Sequence, residues 1–181
     1  MDTLQILCAL RDVKSFAGVF PSDLLPHSIP HDCTIIINAD PHTKEGSHWL
    51  AVRFMPKSSS AYYFDSYGLP PTLVPDIYDC IRRNSTVCDY NKRRMQGWTS
   101  DVCGQYCCLF TLYADRGYNP QHFVGFWGEE KGSCDIHIGR TFLSEFGPLR
   151  RRGGRSCGQC CRTRAIRGTI MLLPDWSIRV R

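Results

Sequence analysis

The stretch that decides the fold and the chemistry of this chain is Gln96-Gly-Trp-Thr-Ser-Asp-Val-Cys103-Gly-Gln-Tyr-Cys-Cys-Leu-Phe-Thr-Leu-Tyr113. Small and polar residues open it, and an apolar run with helical character follows Cys103-Gly104. A cysteine at the start of a helix faces the positive end of the helix dipole, which favours the thiolate over the thiol. Gly104 has no side chain, so we expect a substrate backbone to approach the sulfur there. The stretch predicts a nucleophilic thiolate at Cys103.

Gln96 lies seven positions before Cys103 in the same stretch. A loop of that length can fold back and aim the side-chain amide at the sulfur. An amide N–H placed there, together with the backbone N–H of Cys103, would hold the oxyanion that forms when a thiolate attacks a carbonyl. The stretch is therefore typical of one half of a cysteine-protease site.

The other half of such a site needs a base and a residue that orients it. His48 enters the strand-like run Trp-Leu-Ala-Val-Arg-Phe, and after a short turn Asp65 follows a second run, Ala-Tyr-Tyr-Phe. Two such runs joined by a turn predict an antiparallel pair. His48 and Asp65 then fall at the same edge, where the carboxylate can accept a hydrogen bond from one imidazole nitrogen while the other faces a nucleophile.

The hydrophobic pattern of the remaining chain predicts an α+β domain. Apolar spacing of three and four residues predicts helices over 3–11, 74–83, 120–127 and 135–146. Strands are predicted over 33–37 and 86–90, and residues 16–30 predict an extended loop interrupted by prolines. The apolar face of the last helix is expected to consist of Ile136, Ile138, Phe142, Leu143 and Phe146. The expected fold is a small central mixed or antiparallel sheet flanked by helices.

The composition is that of a globular protein. The chain has 181 residues, of which 43% are hydrophobic, and this is enough for one domain with a substantial core. Neither a run of eighteen apolar residues nor a signal-like N-terminus is found, so we expect no membrane association and no secretion. The eleven cysteines are then expected to be reduced thiols rather than a disulfide framework.

The charge divides the chain into two parts. Residues 150–181 carry nine arginines and only Asp175, a net charge of +8, whereas residues 1–149 have a net charge of −3. This predicts a globular domain over 1–149 and a basic, Arg- and Cys-rich C-terminal tail over 150–181. The tail either binds nucleic acid through its guanidinium groups or is simply solvated.

Two pairs of residues have the spacing of zinc ligands. They are Cys134 with His137 and Cys157 with Cys160. His137 falls inside a predicted helix and the second pair lies in the tail, so ordinary thiols are the expected alternative. We expect no metal and no cofactor.

Four separated motifs carry a resemblance to a known family. They are Gly46-Ser-His48-Trp49, Phe64-Asp65-Ser-Tyr-Gly68, Gln96-Gly97 and Cys103-Gly-Gln-Tyr-Cys-Cys-Leu-Phe110. In this order they resemble the adenovirus protease (adenain) family and its relatives in large DNA transposons. The wider clan includes proteases that act on small ubiquitin-like modifiers. The adenain type has Glu where this chain has Asp65, and Asp is the choice of the modifier-directed branch.

The resemblance implies a thiol endopeptidase that cleaves viral or transposon polyprotein or capsid precursors after small residues such as Gly. Cys103 would be the nucleophile, and His48 the general base and later the acid for the leaving amine. Asp65 would orient the imidazole, and Gln96 with the Cys103 N–H would form the oxyanion hole. Trp49 would pack against the site.

Regulation and location carry over from the family as further expectations. Adenain is activated by DNA and by a short basic viral peptide that forms a disulfide with the enzyme, and Cys88 lies near the corresponding region. The expected partners are protein substrates with Gly-rich sites and DNA bound by the basic tail. We expect a monomer in the host nucleus or the virion, and otherwise in the cytoplasm.

The tail contains a candidate cleavage site of its own. Gly153 and Gly154 lie between arginines in a segment without apolar periodicity. Self-cleavage after Gly154 is therefore one prediction, and a flexible basic tail is the alternative.

Three other functions compete with the viral endopeptidase. A deconjugating protease for ubiquitin-like modifiers would use the same site residues. A non-catalytic, arginine-rich nucleic-acid-binding module would use only the tail. A chymotrypsin-like viral cysteine protease has the same order of His, Asp and Cys, but it needs a β-barrel, which the helical run after Cys103 opposes.

Overall fold

The computed structural model describes residues 1–128 and 134–148. Within these ranges the strands are β1 (Phe16–Pro21), β2 (Cys33–Asn38), β3 (Trp49–Met55), β4 (Ser60–Phe64) and β5 (Val87–Tyr90). The helices are α1 (Thr3–Leu10), α2 (Pro75–Asn84), α3 (Cys103–Asp115), α4 (Pro120–Gly128) and α5 (Cys134–Phe146). The predicted helices and strands are present, with bounds that differ by one or two residues.

The five strands form one sheet in chain order, β1 to β5. β1 pairs parallel to β2 and β4 pairs parallel to β5, whereas the two central pairings are antiparallel. The predicted hairpin is the β3–β4 pair, with Ala51 opposite Phe64. The sheet is therefore mixed, and the predicted α+β fold class is confirmed.

The prediction of an extended loop over residues 16–30 was wrong for its N-terminal part, because residues 16–21 form β1. This strand pairs with β2 through a register shift between Phe16 and Gly18. Gly18 adopts φ +142°, a conformation that residues with side chains rarely take. β1 is buried along nearly its whole length, so it lacks the polar–apolar alternation by which half-exposed strands are recognised.

Two hydrophobic cores lie on opposite faces of the sheet. β3 shows the division, since Trp49 and Ala51 point to the face covered by α3 while Leu50 and Val52 point to the other face. On the α3 face, Phe110 stacks on Phe64 of β4 with ring centroids 4.7 Å apart. Replacing a buried aromatic residue of this kind with alanine lowers the free energy of unfolding by about 3–5 kcal/mol. This packing fixes α3 across the centre of the sheet.

The predicted apolar face of α5 is only partly correct. Ile138 and Phe142 are buried as expected, but Ile136 and Leu143 are 59% and 54% exposed. Cys134, one residue before the predicted start, joins the buried stripe. Residues four apart lie along one line of a helix, so α5 packs mainly through this narrow stripe. Phe146 is partly buried against the same core, whereas Ile136 and Leu143 remain in solvent.

Among residues 1–128 and 134–148, no helix has the length and apolar character needed to span a membrane. The same described residues contain no group of three or more His, Cys, Asp or Glu side chains able to hold a metal ion. The boundary predicted at residue 149 and the Cys157–Cys160 pair lie outside the described residues.

Candidate active site

Three secondary-structure ends bring the predicted site residues together. Cys103 is the first residue of α3, His48 immediately precedes β3, and Asp65 immediately follows β4. The backbone carbonyl of His48 accepts a hydrogen bond from the N–H of Ala39 at 2.9 Å, which fixes the residue beside the end of β2. The hairpin geometry predicted from the sequence therefore places His48 and Asp65 at one edge of the sheet, next to α3.

Asp65 is held rigidly beneath His48. Its Oδ1 lies 2.7 Å from His48 Nε2 and also accepts the backbone N–H of Tyr67 at 2.9 Å. Its Oδ2 accepts the N–H of Leu69 at 3.2 Å. The side chain of Asp65 is 2% exposed. A buried carboxylate that two backbone N–H groups hold in place is well suited to orient an imidazole.

Asn91 is a supporting residue that the sequence did not reveal. Its Oδ1 accepts the backbone N–H of Asp65 at 3.0 Å, and its Nδ2 donates to the backbone carbonyl of Asp65. Asn91 is 2% exposed and lies directly after β5. In the sequence Asn91 is only a polar residue after a predicted strand, and such residues are common in loops.

The thiol of Cys103 is activated by its neighbours. Burial alone would raise its pKa, but a hydrogen bond with the His48 ring and the backbone N–H groups of Trp49 and Gly104 outweigh burial. The net result is a pKa of Cys103 below the ordinary value for a thiol. Because Nε2 of His48 is bonded to Asp65, Nδ1 is the ring nitrogen available to the sulfur. Cys103 thus has the properties predicted for a nucleophile.

The imidazole of His48 is stabilised in its protonated form. Burial alone would lower its pKa, but the hydrogen bonds with Asp65 and Cys103 and their negative charges raise the pKa of His48 to about 9. The opposite shifts of the two partners describe one coupled pair, in which the thiolate and the imidazolium stabilise each other.

Gln96 and Cys103 line one cavity, but the amide of Gln96 is already bonded within the protein. Its Oε1 accepts from Ser66 Oγ at 2.6 Å. Its Nε2 donates to the carbonyl of Ser100 at 2.7 Å and to Tyr67 Oη at 3.3 Å. Both N–H groups therefore have protein acceptors, and one of these bonds must be exchanged before Gln96 can donate to an oxyanion.

Gly104 has a different function from the predicted one. A Cβ at this position would lie 3.0 Å from Cβ of Met1 and 3.2 Å from Cδ1 of Trp49. The space beside the glycine is thus filled by protein and is not open to a substrate. Trp49 is buried next to the site as predicted, and its Nε1 donates to the carbonyl of Met1 at 3.0 Å.

Aromatic rings extend the site along one side. Tyr67 stacks on the His48 ring at 4.8 Å between centroids, and Trp98 stacks on Tyr67 at 5.5 Å. The guanidinium carbon of Arg94 lies 4.4 Å from the centroid of Trp98, which is 70% exposed. Tyr67 belongs to the Phe-Asp-Ser-Tyr-Gly motif, so its position next to Asp65 was the available sequence signal.

Cys103 opens into a cavity of about 320 Å³. Its wall includes three exposed carboxylates, which come from Asp2, Glu45 and Asp101. In the part of the chain that the structure describes, no lysine or arginine side chain lines it. The complete lining consists of Met1, Asp2, Thr3, Asn38, Glu45, Gly46, Ser47, His48, Trp49, Tyr67, Gln96, Ser100, Asp101 and Cys103.

The Cys134–His137 pair lies away from this cavity on α5. The buried thiol of Cys134 donates to the carbonyl of Trp127 at 2.9 Å, which ties α5 to α4. This contact gives Cys134 a packing function between two helices.

A buried carboxylate, an imidazole and an activated thiol in contact at a cavity define the site class of the cysteine hydrolases. A family model described as adenovirus endoprotease matches residues 14–131, more than half of the chain. The chain therefore belongs to the adenovirus endoprotease family. The family predicted from the four sequence motifs is confirmed.

Individual relatives agree with this assignment. The protease of Porcine adenovirus A serotype 3 is 33% identical over 140 residues, which cover 66% of this chain and 68% of the relative. The protease of Bovine adenovirus 2 is 30% identical over 108 residues, which cover 54% of this chain and 49% of the relative. The chain thus spans about half the length of this and other curated relatives that it matches.

One solved structure is similar over part of its length. The crystal structure of the ASFV pS273R protease matches with a TM-score of 0.46 and 19% identity, covering 66% of this chain and 44% of that chain. The family assignment rests on the sequence matches alone.

Proposed function

We propose that this chain is a cysteine endopeptidase whose reaction is carried by Cys103, His48 and Asp65. The observation that supports it best is the continuous contact from Asp65 through His48 to a thiol of lowered pKa. The Cys103 thiolate attacks the scissile carbonyl and forms a tetrahedral intermediate. The His48 imidazolium then protonates the leaving amine, and the thioester that remains is hydrolysed by water with His48 as the base.

The proposed oxyanion hole consists of the Cys103 backbone N–H and the Gln96 side chain. The Cys103 N–H lies in the first turn of α3, where backbone N–H groups lack helical acceptors. Gln96 reaches the oxyanion by giving up its bond to Ser100 or to Tyr67. A hydrogen bond to an oxyanion is stronger than one to a neutral oxygen, so this exchange becomes favourable as negative charge develops on the substrate oxygen.

The proposed substrates are viral or transposon precursor proteins with Gly-rich cleavage sites. Glycine before the cut leaves room for the substrate backbone to approach a thiol that is only 8% exposed. The proposed setting is the host nucleus or the virion, with a monomeric enzyme that needs no cofactor.

Self-cleavage after Gly154 is part of this proposal. The sequence around Gly153-Gly154 carries arginines on both sides. The cavity wall carries the carboxylates of Asp2, Glu45 and Asp101, which suit arginines beside the scissile bond. Cleavage there would separate the predicted domain from 27 residues of the basic tail.

Regulation by a peptide and by DNA is proposed from the family. Cys88 lies on β5, the last strand of the described sheet, and its thiol is half-buried. An outer strand has unpaired backbone groups on one side, which an extended peptide can use. The net charge of +8 over residues 150–181 supports DNA binding by the tail.

The test uses a peptide with the chain's own residues 147–160, the Gly-Gly peptide, and a matched peptide in which Gly153 and Gly154 are replaced by alanine. We expect the wild-type chain to cut the first peptide after Gly154 and to leave the second peptide intact. Cys103→Ala should cut neither. Product masses identify the cut, and the intact mass of the chain reports self-cleavage. Cleavage by Cys103→Ala, or none by the wild type with and without DNA and a basic activating peptide, contradicts the proposal.

A further inference from the structure

The backbone next to Gln96 is held by a helix that the four motifs do not include. The N–H of Gly97 donates to Asp135 Oδ2 at 3.0 Å, and Asp135 lies in the first turn of α5. A Cβ at position 97 would stand 3.0 Å from the same oxygen, so glycine gives the carboxylate room to reach the peptide. Asp135 also lies beyond residues 14–131, where the family model matches.

The other oxygen of the same carboxylate contacts α3. Tyr106 is fully buried about one turn after Cys103, and its Oη lies 3.1 Å from Asp135 Oδ1 and 3.2 Å from the carbonyl oxygen of Met95. Burial, together with the charge of Asp135, raises the pKa of the Tyr106 hydroxyl. The hydroxyl therefore keeps its proton and shares it between the two acceptors. Asp135 thus links the Gln96–Gly97 peptide to the first turns of α3.

The opposite side of this peptide is held by the loop after β4. The carbonyl of Ser66 accepts the N–H of Met95 at 2.9 Å and the N–H of Gln96 at 3.0 Å. Without Asp135, the Gln96–Gly97 segment keeps this attachment and the bond from Tyr106 to the Met95 carbonyl, but the Gly97 N–H loses its acceptor on α5. A displacement of about 1 Å in a catalytic group can reduce a rate by about a hundredfold.

We propose that Asp135 is a positioning residue for Gln96: with Tyr106 it fixes the Gln96–Gly97 peptide relative to Cys103. This inference rests on the proposed function, since it acts through the oxyanion contact assigned to Gln96. It predicts that Asp135 is needed for full turnover although it does not line the cavity that Cys103 faces.

The first test compares Asp135→Ala and Asp135→Asn with Asp76→Ala. Asp76→Ala is the matched control. It also removes an acidic residue, and thus a negative charge, from the first turn of a helix, α2. We expect Asp135→Ala to lower kcat for the Gly-Gly peptide by about 10–100-fold with little change in KM. Asp135→Asn should lose less, because its amide oxygen still accepts the Gly97 N–H. Asp76→Ala should match the wild type.

Alkylation of Cys103 separates positioning from general damage. The thiolate depends on His48, so its alkylation rate at pH 7 should stay within about twofold of wild type in all three variants. A parallel fall in kcat and alkylation rate, or an unchanged kcat in Asp135→Ala, overturns the inference.

A second readout decides the inference if the wild type turns over no peptide and the proposed function fails. NMR in a Cys103→Ala background reports the Gly97 amide and the side-chain amide of Gln96 directly. Asp135→Ala should speed hydrogen exchange of the Gly97 N–H by about tenfold or more and shift the Gln96 side-chain resonances. Asp135→Asn provides the same comparison if Asp135→Ala does not fold. Unchanged Gln96 resonances in both variants overturn the inference.

Discussion

Cys103 and Cys107 lie one turn apart on α3, yet the two regions of the helix give their thiols opposite properties. Cys107 is in the helix interior, where burial raises the pKa of its thiol well above the ordinary value. Cys103 is at the helix start, and although it is only 8% exposed, its contact with His48 and with backbone N–H groups lowers its pKa. Thiol reactivity on this helix therefore depends on polar neighbours more than on exposure.

The largest expected effect follows from removing each of the two thiols. Cys103→Ala should abolish peptide cleavage, because only this sulfur contacts an imidazole in the described site. Cys107→Ala should keep activity within about threefold while lowering the free energy of unfolding by about 1 kcal/mol through lost packing. Turnover of the Gly-Gly peptide and a chemical denaturation curve measure the two effects. Full activity in Cys103→Ala would show that another residue is the nucleophile.

Gln96→Ala should have the next largest effect. Loss of the side-chain amide should reduce kcat by about 10²–10³-fold with a smaller change in KM, because the amide acts mainly on the transition state. Gln121→Ala is the control, since Gln121 is exposed on α4 and contacts Asp89 away from the cavity. Steady-state kinetics of both variants provide the measurement. A change confined to KM would contradict the proposed function of Gln96.

His48→Ala sharpens the comparison between the two thiols. Without the imidazole, burial becomes the dominant influence, and the pKa of Cys103 should rise toward that of Cys107. Alkylation of Cys103 at pH 6.5 should slow by about 10–100-fold. His42→Ala is the matched control, because His42 also pairs with a carboxylate, Asp23, but on the surface. An unchanged alkylation profile in His48→Ala would disprove the coupled pair.

The same pair sets the direction of the pH dependence in the wild type. Below the lowered pKa of Cys103 the thiolate is protonated, so turnover should fall toward acid pH. The pKa of His48 is raised to about 9, so turnover should also fall above that pH, where the proton for the leaving amine is lost.

Asp65→Glu should have the smallest effect of the site variants. It keeps an acceptor for His48 Nε2, although the extra methylene disturbs the bonds from the N–H groups of Tyr67 and Leu69. We expect a loss of about tenfold in kcat, and a larger loss for Asp65→Ala. Kinetics of the two variants side by side give the comparison. Equal losses would mean that Asp65 is needed only for folding.

The sequence was sufficient to place His48, Asp65 and Cys103, because each lies at the end of a strand or helix whose pattern is regular. A histidine before a β-rich run and a carboxylate after the next such run must meet at one edge of a hairpin. The start of α3 is similarly marked by the change from small polar residues to an apolar run. The local hydrophobic pattern was therefore enough to predict the positions of most of the site residues.

Contacts between residues far apart in the chain could not be predicted from the sequence. Gly104 suggested an open path to the sulfur, but Met1, a hundred positions away in the chain, and Trp49 fill that space. The N–H groups of Gln96 are taken by Ser100 and Tyr67, which no spacing rule indicates. Asn91 and Asp135 were missed for the same reason, since a buried polar residue acquires its partner only in the folded chain.

The most direct test of Cys103 as the nucleophile is covalent labelling with a peptide that ends in Gly-Gly and carries an electrophile in place of the scissile bond. The wild-type chain is treated at neutral pH, digested, and analysed by mass spectrometry. We expect an adduct on Cys103, none on Cys107, and a much slower reaction in His48→Ala. An adduct mainly on another cysteine, or equal labelling in His48→Ala, would contradict it.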